Sequence, residues 1–121
     1  MKRFSVVYNT TVIGTSDLEG RDPGMGAVNG PFVPTPAYES VREVFEAFAK
    51  AVATNPPDAK LLQSYFARRD SLGLELRCDS AVVPTRTIHI ADFSRDAGDD
   101  AYELEVTMRN GEEYERFFST R

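Results

Sequence analysis

The chain has 121 residues, of which 41% are hydrophobic and 27% are charged, and its net charge is −5. This length predicts a single globular domain over residues 1–121, with a core that needs no metal or disulfide support. The chain has one cysteine, Cys78, and one histidine, His89. A disulfide within the chain, a multi-cysteine metal site and every motif that needs two histidines are therefore excluded.

The acidic residues concentrate in residues 92–115, where nine of them stand against two arginines. Such a balance repels phosphate backbones and attracts cationic surfaces, so we expect no nucleic-acid partner. The first apolar run, from Phe4 to Tyr8, is too short for a secretory signal, and no window reaches the length of a membrane span. Together with the lone thiol, these features predict a cytoplasmic protein that does not bind membranes.

The N-terminal residues predict a β-hairpin. Residues 3–8 and 11–15 are β-branched and aromatic, and Asn9-Thr10 separates them. Glycines and prolines then punctuate residues 16–36, a long connection with room for a short strand near residues 27–33.

Two helices are predicted in the middle of the chain. The first begins with Thr35 as N-cap and Pro36 at the first helical position, and its apolar residues recur at spacings of three and four. The second begins at Asn55 and ends before Gly73. Its buried side is predicted to consist of Leu61, Leu62, Tyr65 and Phe66.

The remaining residues predict strands. In residues 72–79 the leucines and Cys78 alternate with polar residues, and residues 85–92 and 102–109 repeat this period of two. Asn110-Gly111 favours a two-residue hairpin turn, which makes residues 112–118 a further strand. That register pairs Arg109 with Glu112, Glu105 with Arg116 and Leu104 with Phe117, but it also sets Met108 opposite Glu113.

The predicted fold is α+β, with an antiparallel sheet of about five to seven strands and two central helices packed on one face. The predicted order is β-β-(β)-α-α-β-β-β-β. We expect one core built from Tyr38, Phe45, Phe48, Leu62, Phe66, Leu74, Leu76, Ile88, Ile90 and Leu104.

Several functional motifs are present in this sequence only in part. The glycines of residues 24–30 do not match the dinucleotide fingerprint, and no P-loop lysine follows them. Residues 92–103 place oxygen-bearing side chains as a calcium loop does, but Ala97 stands where that loop needs glycine, and the flanking elements are predicted strands. Cys78 continues an apolar row, and no third residue orients His89. We therefore predict no catalytic residue, no metal and no cofactor.

Two acidic groups are the candidate partner-binding residues. One lies in the glycine-rich connection, where Arg21 stands among the acids and can neutralise them; the other lies near the C-terminus. Carboxylates in such positions can bind the arginines of a partner protein. The two groups comprise Asp17, Glu19, Asp22, Asp96, Asp99, Asp100, Glu103 and Glu105.

Four short motifs stand close together in the first third of the chain: Ile13-Gly14-Thr15-Ser16-Asp17-Leu18-Glu19, Asp22-Pro23-Gly24-Met25-Gly26, Gly30-Pro31-Phe32-Val33-Pro34 and Tyr38. This series resembles a pattern in small uncharacterised bacterial proteins, where it joins an N-terminal hairpin to a helix. The resemblance implies no settled activity. Small acidic one-domain bacterial proteins of this build also resemble toxin-neutralising immunity proteins in general character.

Two functions of different classes fit these observations. The first is a non-enzymatic protein-binding module, an inhibitor or immunity-like protein that presents an acidic surface to a basic partner. The second is a small enzyme or small-ligand-binding protein with its site in the loop of residues 16–34. The sequence lacks a nucleophile–base pair, a metal cluster and a cofactor fingerprint, which favours the first. Sites made only of carboxylates leave little trace in one sequence, so the second stays open.

Overall fold

The structure, a computed structural model, describes residues 3–94 and 102–118, and these contain nine strands and three α-helices. The helices are α1 (Arg42–Val52), which follows a 3₁₀ helix (Pro36–Ser40), then α2 (Ala59–Ser71) and the C-terminal α3 (Gly111–Phe118). The strands are β1 (Phe4–Tyr8), β2 (Thr11–Ser16), β3 (Gly20–Asp22), β4 (Ala27–Pro31), β5 (Val33–Pro34), β6 (Glu75–Cys78), β7 (Ala81–Val83), β8 (Thr85–Asp92) and β9 (Tyr102–Met108).

The strands form antiparallel sheets, which confirms the predicted α+β class with two helices in the middle of the chain. There are two sheets where the sequence predicts one: the first has the order β5-β2-β1-β6-β7, and the second has the order β3-β4-β9-β8. The central strand β1 already pairs with β2 on one side and with β6 on the other. The long strands β8 and β9 therefore pair with each other, and β9 also pairs with β4.

The glycine- and proline-rich connection folds largely into strands. β3 and β4 form a hairpin whose turn contains Gly26 at a φ of +65°, a backbone conformation that favours glycine. Gly14, in the neighbouring β2, lies against Phe32, and a Cβ at this position would be 2.1 Å from the ring Cζ. Gly26 therefore permits the turn, and Gly14 permits the close packing of Phe32 against β2.

One core cluster unites residues from both sheets and all three α-helices. Six of the predicted core residues are buried: Tyr38, Phe45, Leu76, Ile88, Ile90 and Leu104. Phe48 and Leu74 are partly buried and pack against the cluster, as Cys78 does, and Leu62 is half-buried. Phe66 is 43% exposed, so its assignment to the core is wrong.

The helical region of residues 36–52 begins where the sequence predicts, but it is interrupted. Pro36 starts the 3₁₀ helix, and α1 begins only at Arg42. The Thr35 hydroxyl does not cap the helix, because it donates a 2.7 Å hydrogen bond to the carbonyl oxygen of Val12 in β2. This bond ties the start of the helical region to the first sheet.

The second helix begins three residues later than predicted and buries less. Asp58 is its N-cap: one carboxylate oxygen accepts hydrogen bonds from the amides of Lys60 and Leu61, at 3.0 and 3.1 Å. Among the four residues predicted to be buried, only Tyr65 is buried, whereas Leu61 is 47% exposed. The reason is that α2 packs mainly on α1, so it buries a narrow stripe and leaves the rest of the helix in solvent.

The predicted hairpin at Asn110-Gly111 is wrong, since residues 111–118 form α3. The Asn110 side-chain oxygen accepts a 2.9 Å hydrogen bond from the amide of Glu113, so asparagine acts here as a helix N-cap. Tyr114 and Phe118, four residues apart, are both buried, and Phe118 stacks on Phe4 of β1. Burial at helical spacing therefore outweighs the local turn signal.

Within the part of the chain that the structure describes, no helix is long and apolar enough to cross a membrane.

Truncation of Phe45 tests which residues form the core. Its ring is fully buried against Tyr38 and Tyr65, so Phe45→Ala should lower the free energy of unfolding by about 3–5 kcal/mol. Phe66→Ala, a matched truncation one residue from Tyr65 in α2, should cost only about 1 kcal/mol because Phe66 is already 43% exposed. Urea denaturation of both variants measures the two costs. Equal losses would contradict the assignment of the core.

Candidate functional site

The second sheet has one side turned to the core, and its other side is exposed at Asp22, Glu103 and Glu105 but covered by Phe48 and Tyr65 at His89. Val28, Val106 and Ile88 are paired neighbours across β4, β9 and β8, and all three are buried. Since side chains alternate along a strand, the next residues of each strand point the other way. We call this other side the outer face, and its paired residues are Gly20, Asp22, Ala27, Asn29, Pro31, Glu103, Glu105, Thr107, Thr87, His89 and Ala91.

The structure brings three of the candidate partner-binding residues together on the outer face. Glu103 and Glu105 lie along β9, Asp22 lies on β3, and all three are exposed. Glu105 stands between Asn29 of β4 and His89 of β8 in the register of the sheet. The strand pairing therefore puts these three carboxylates on the same side of the sheet, with β4 between Asp22 and the two glutamates.

The other predicted acids are placed differently. Asp17 and Glu19 precede β3, and a carboxylate oxygen of Asp17 accepts a 3.1 Å hydrogen bond from the amide of Glu19. This bond shapes a local turn in which Glu19 remains exposed. The remaining three acids, Asp96, Asp99 and Asp100, lie outside the described residues.

Arg21 does not neutralise the outer face. It pairs across the strands with Val28, so it points to the opposite side of the sheet from Asp22. Its guanidinium donates hydrogen bonds to the carbonyl oxygens of Leu18, at 2.9 Å, and of Phe118, and it stacks over the Phe118 ring at 5.0 Å. The arginine therefore connects β3 to α3, and none of the paired outer-face residues is a lysine or an arginine.

A pocket of about 240 Å³ opens where the outer face meets the helices. We call it the His89 pocket. α1 and α2 supply aromatic walls and one cation, whereas β8 and β9 supply polar groups. Its lining residues are Phe48, Phe66, Arg69, Thr87, His89, Glu105 and Thr107. A smaller cavity of about 170 Å³ adjoins it through the shared residues Arg69 and Thr87, and Arg86 also lines this second cavity.

A tyrosine–histidine pair lies beside this pocket. The Tyr65 hydroxyl hydrogen-bonds to Nδ1 of His89, and the Phe48 ring meets the imidazole edge-on with centroids 4.4 Å apart. Burial, aided by the charge of Arg69, lowers the pKa of His89 from the ordinary 6.5 to about 4. Burial also raises the pKa of Tyr65 above its ordinary value of 10. Both side chains are therefore neutral at physiological pH.

Arg69 is the positively charged residue of the pocket, and it already has partners within the chain. Its guanidinium lies over the Phe66 and Tyr65 rings, 5.1 and 5.7 Å from their centroids, and bonds to a carboxylate oxygen of Asp70 at 2.9 Å. Only 11% of its side chain is exposed. Arg69 thus acts as part of the pocket wall, with part of its charge offset by Asp70.

Glu105 is the charged group of the pocket that lacks a partner. In residues 3–94 and 102–118 it has no ion pair and no hydrogen bond to its carboxylate. Partial loss of water at the pocket rim raises the pKa of its carboxyl group, and the charge of Glu103, two residues along the same face, raises it further. A cation bound beside Glu105 would relieve both effects.

Asp92, the first residue of the calcium-loop candidate, has a different role. Its buried carboxylate accepts hydrogen bonds from the Tyr38 hydroxyl at 2.7 Å, from the Ser94 hydroxyl at 2.6 Å and from Arg42 at 3.3 Å. Arg42 also donates to the Tyr102 hydroxyl at 2.8 Å. The carboxylate is therefore occupied by this chain's own donors, and most of the candidate calcium loop lies outside the described residues. Elsewhere in the described chain, no three His, Cys, Asp or Glu side chains come together as a metal site.

Sequence reasoning missed the His89 pocket, because its parts are distant in the chain. Tyr65 and His89 are 24 residues apart, and they meet because α2 packs on α1, which itself packs on β8. The available signal was the alternation along β8, which puts Thr87 and His89 on the side of the strand opposite Ile88 and Ile90. The residues 16–34 of the alternative site form β3, β4 and β5, and neither of the two cavities described above is lined by them.

Comparison with protein-family models, with curated proteins and with solved structures finds no match for this chain. Its function is therefore inferred from the geometry of the outer face and the His89 pocket.

The lowered pKa of His89 predicts how stability depends on pH. Because the folded-state pKa of about 4 lies below the ordinary 6.5, the unfolded chain takes up the proton first. The stability that neutral His89 gives the folded protein is fully present above pH 6.5 and is lost as the pH falls towards 4. Wild type should therefore lose stability relative to His89→Gln across this window. Urea denaturation at several pH values measures the difference, and a difference that stays constant with pH would contradict the burial of His89.

Proposed function

We propose that this chain is a non-enzymatic protein-binding module, an inhibitor or immunity-like protein, that binds a basic partner through the outer face of its second sheet. The observation that carries this proposal is the set of three exposed carboxyl groups, Asp22, Glu103 and Glu105, on a side of the sheet whose paired residues include no lysine or arginine. A basic partner meets three carboxylates there, separated by uncharged residues such as Ala27 and Asn29.

The overall charge supports the same kind of partner. A net charge of −5 accelerates encounters with cationic proteins and slows encounters with phosphate backbones. We therefore propose a protein partner rather than a nucleic acid, and we place the interaction in the cytoplasm, where a lone thiol such as Cys78 stays reduced. The inhibitor or immunity-like role rests on the small size of the chain and on this charge, which suit the neutralisation of a cationic protein.

The shape of the outer face supports binding rather than catalysis. The polar groups on it are spread across four strands, and the residues that line the His89 pocket include no cysteine or serine. Extended basic segments suit such a surface, because their side chains alternate with the same period as those of the sheet.

A basic peptide of alternating lysine and threonine residues tests this proposal. Titration followed by amide chemical shifts should place the peptide on β3, β4 and β9, with an affinity that falls as salt is added. The double variant Asp22→Asn with Glu103→Gln should bind several-fold more weakly, because attraction is lost while the sheet is kept. The asparagine keeps the oxygen that accepts a hydrogen bond from the amide of Met25.

The matched control removes the same charge elsewhere. Glu112 and Glu115 are exposed on α3, and the double variant Glu112→Gln with Glu115→Gln should bind the peptide as wild type does, apart from a small effect of net charge. Equal weakening in both double variants would mean that binding follows net charge alone, and it would overturn the outer face as a binding surface.

A further inference from the structure

The His89 pocket combines three features that select one kind of occupant. It has aromatic walls, Phe48 and Phe66, of which Phe66 is 43% exposed. It has hydroxyl groups on Thr87 and Thr107 that can accept hydrogen bonds. It also has a carboxylate, on Glu105, that no cation in the described part of the chain pairs with.

We propose that the His89 pocket is an anchor site for one arginine side chain of the partner, held by the Glu105 carboxylate and by the aromatic walls. This inference rests on the proposed function, and it deepens that function by naming the group that the partner inserts. The outer face attracts a basic surface of the partner, and the pocket fixes one residue of that surface in place.

The size of the pocket suits a side chain. Its volume of about 240 Å³ lies below the usual range of small-molecule sites, roughly 300–1,000 Å³. A long unbranched side chain can occupy such a space with its charged end beside the carboxylate at the rim. Interface anchors are commonly single arginine or aromatic residues seated in pockets of this kind.

Arginine fits the lining better than lysine. A guanidinium is flat and weakly hydrated, so it can lie against Phe66 and still donate in-plane hydrogen bonds to the Glu105 carboxylate. A lysine ammonium is a compact, strongly hydrated charge that gains less from an aromatic wall. His89 remains neutral near pH 7 and so does not repel either cation.

The positive charge of Arg69 does not prevent a partner's arginine from entering the pocket. Arg69 pairs with Asp70 and lies against the Tyr65 and Phe66 rings, with 11% of its side chain exposed. Asp70 therefore offsets part of its charge, and the rest acts on His89, whose pKa it lowers. The guanidinium of Arg69 against Phe66 shows that this ring can hold such a group, and the partner's arginine would occupy the open side of the pocket towards Glu105.

The test uses three single-residue probes with blocked termini: N-acetyl-arginine amide, N-acetyl-lysine amide and N-acetyl-citrulline amide. Citrulline is the neutral analogue of arginine with nearly the same shape. In amide chemical-shift titrations at millimolar concentrations, the arginine probe should shift Thr87, His89, Glu105 and Thr107. It should bind more tightly than the lysine probe, and the citrulline probe should bind at least about tenfold more weakly.

Matched variants complete the test. Glu105→Gln should weaken the arginine probe about tenfold, whereas Glu112→Gln, which removes an exposed carboxylate from α3, should leave its affinity unchanged. Phe66→Ala should also weaken the arginine probe, since it removes the exposed aromatic wall. Equal binding of arginine and citrulline probes, or no shift of the pocket residues at millimolar concentration, would overturn the anchor site.

The two proposals fail in different ways. If the lysine–threonine peptide binds the outer face and the arginine probe leaves the pocket unshifted, the anchor site is wrong and the binding surface stands. If both double variants weaken peptide binding equally while the arginine probe still binds in the pocket, the outer face is wrong as a binding surface. The pocket is then a cation-binding site that does not depend on it.

Discussion

The pairing of β8 with β9 determines which residues of this protein meet solvent together. Ile88 pairs with Val106 and Ile90 with Leu104 on the buried side, so alternation sends His89 and Glu105 to the outer face. A slip of the register by one residue would bury the carboxylates and expose the apolar row. The burial of this row therefore keeps the acidic residues on one surface, and it places Glu105 beside the imidazole of His89.

A second constraint, the buried carboxylate of Asp92, sets where the helices lie. Asp92 ends β8, and its donors Tyr38 and Arg42 stand just before and at the start of α1. A buried carboxylate without donors would be strongly unfavourable, so these bonds hold the start of α1 at the end of β8. From this anchored start, α1 runs beside β8, where Phe48 contacts His89 and α2 adds Tyr65. The pocket thus depends on the same contacts that close the core.

The sequence predicted those parts of the fold that depend on local periodicity. The alternation in residues 85–92 and 102–108 predicted β8 and β9, and Pro36 marked the start of the helical region. It did not predict α3, because Asn110 followed by glycine suits a tight turn and a helix N-cap alike, and only the burial of Tyr114 and Phe118 decides between them. Nor could it predict the division into two sheets or the Tyr65–His89 contact, since both depend on pairing between distant segments. The sequence placed Asp22 in one acidic group and Glu103 and Glu105 in another, and only the register of β3, β4 and β9 shows that the three share a face.

Titration of Glu105 measures whether its carboxylate binds a cation, as we propose. Carboxyl-carbon NMR of Glu105 should give a pKa above the ordinary 4.5 in the free protein, because its carboxyl group is partly shielded from water and lies near Glu103. With N-acetyl-arginine amide bound, the pKa should fall, because a neighbouring cation favours the charged form. The same titration of Glu112, exposed on α3, should not change with the probe. A Glu105 pKa that is identical with and without the arginine probe would contradict the account.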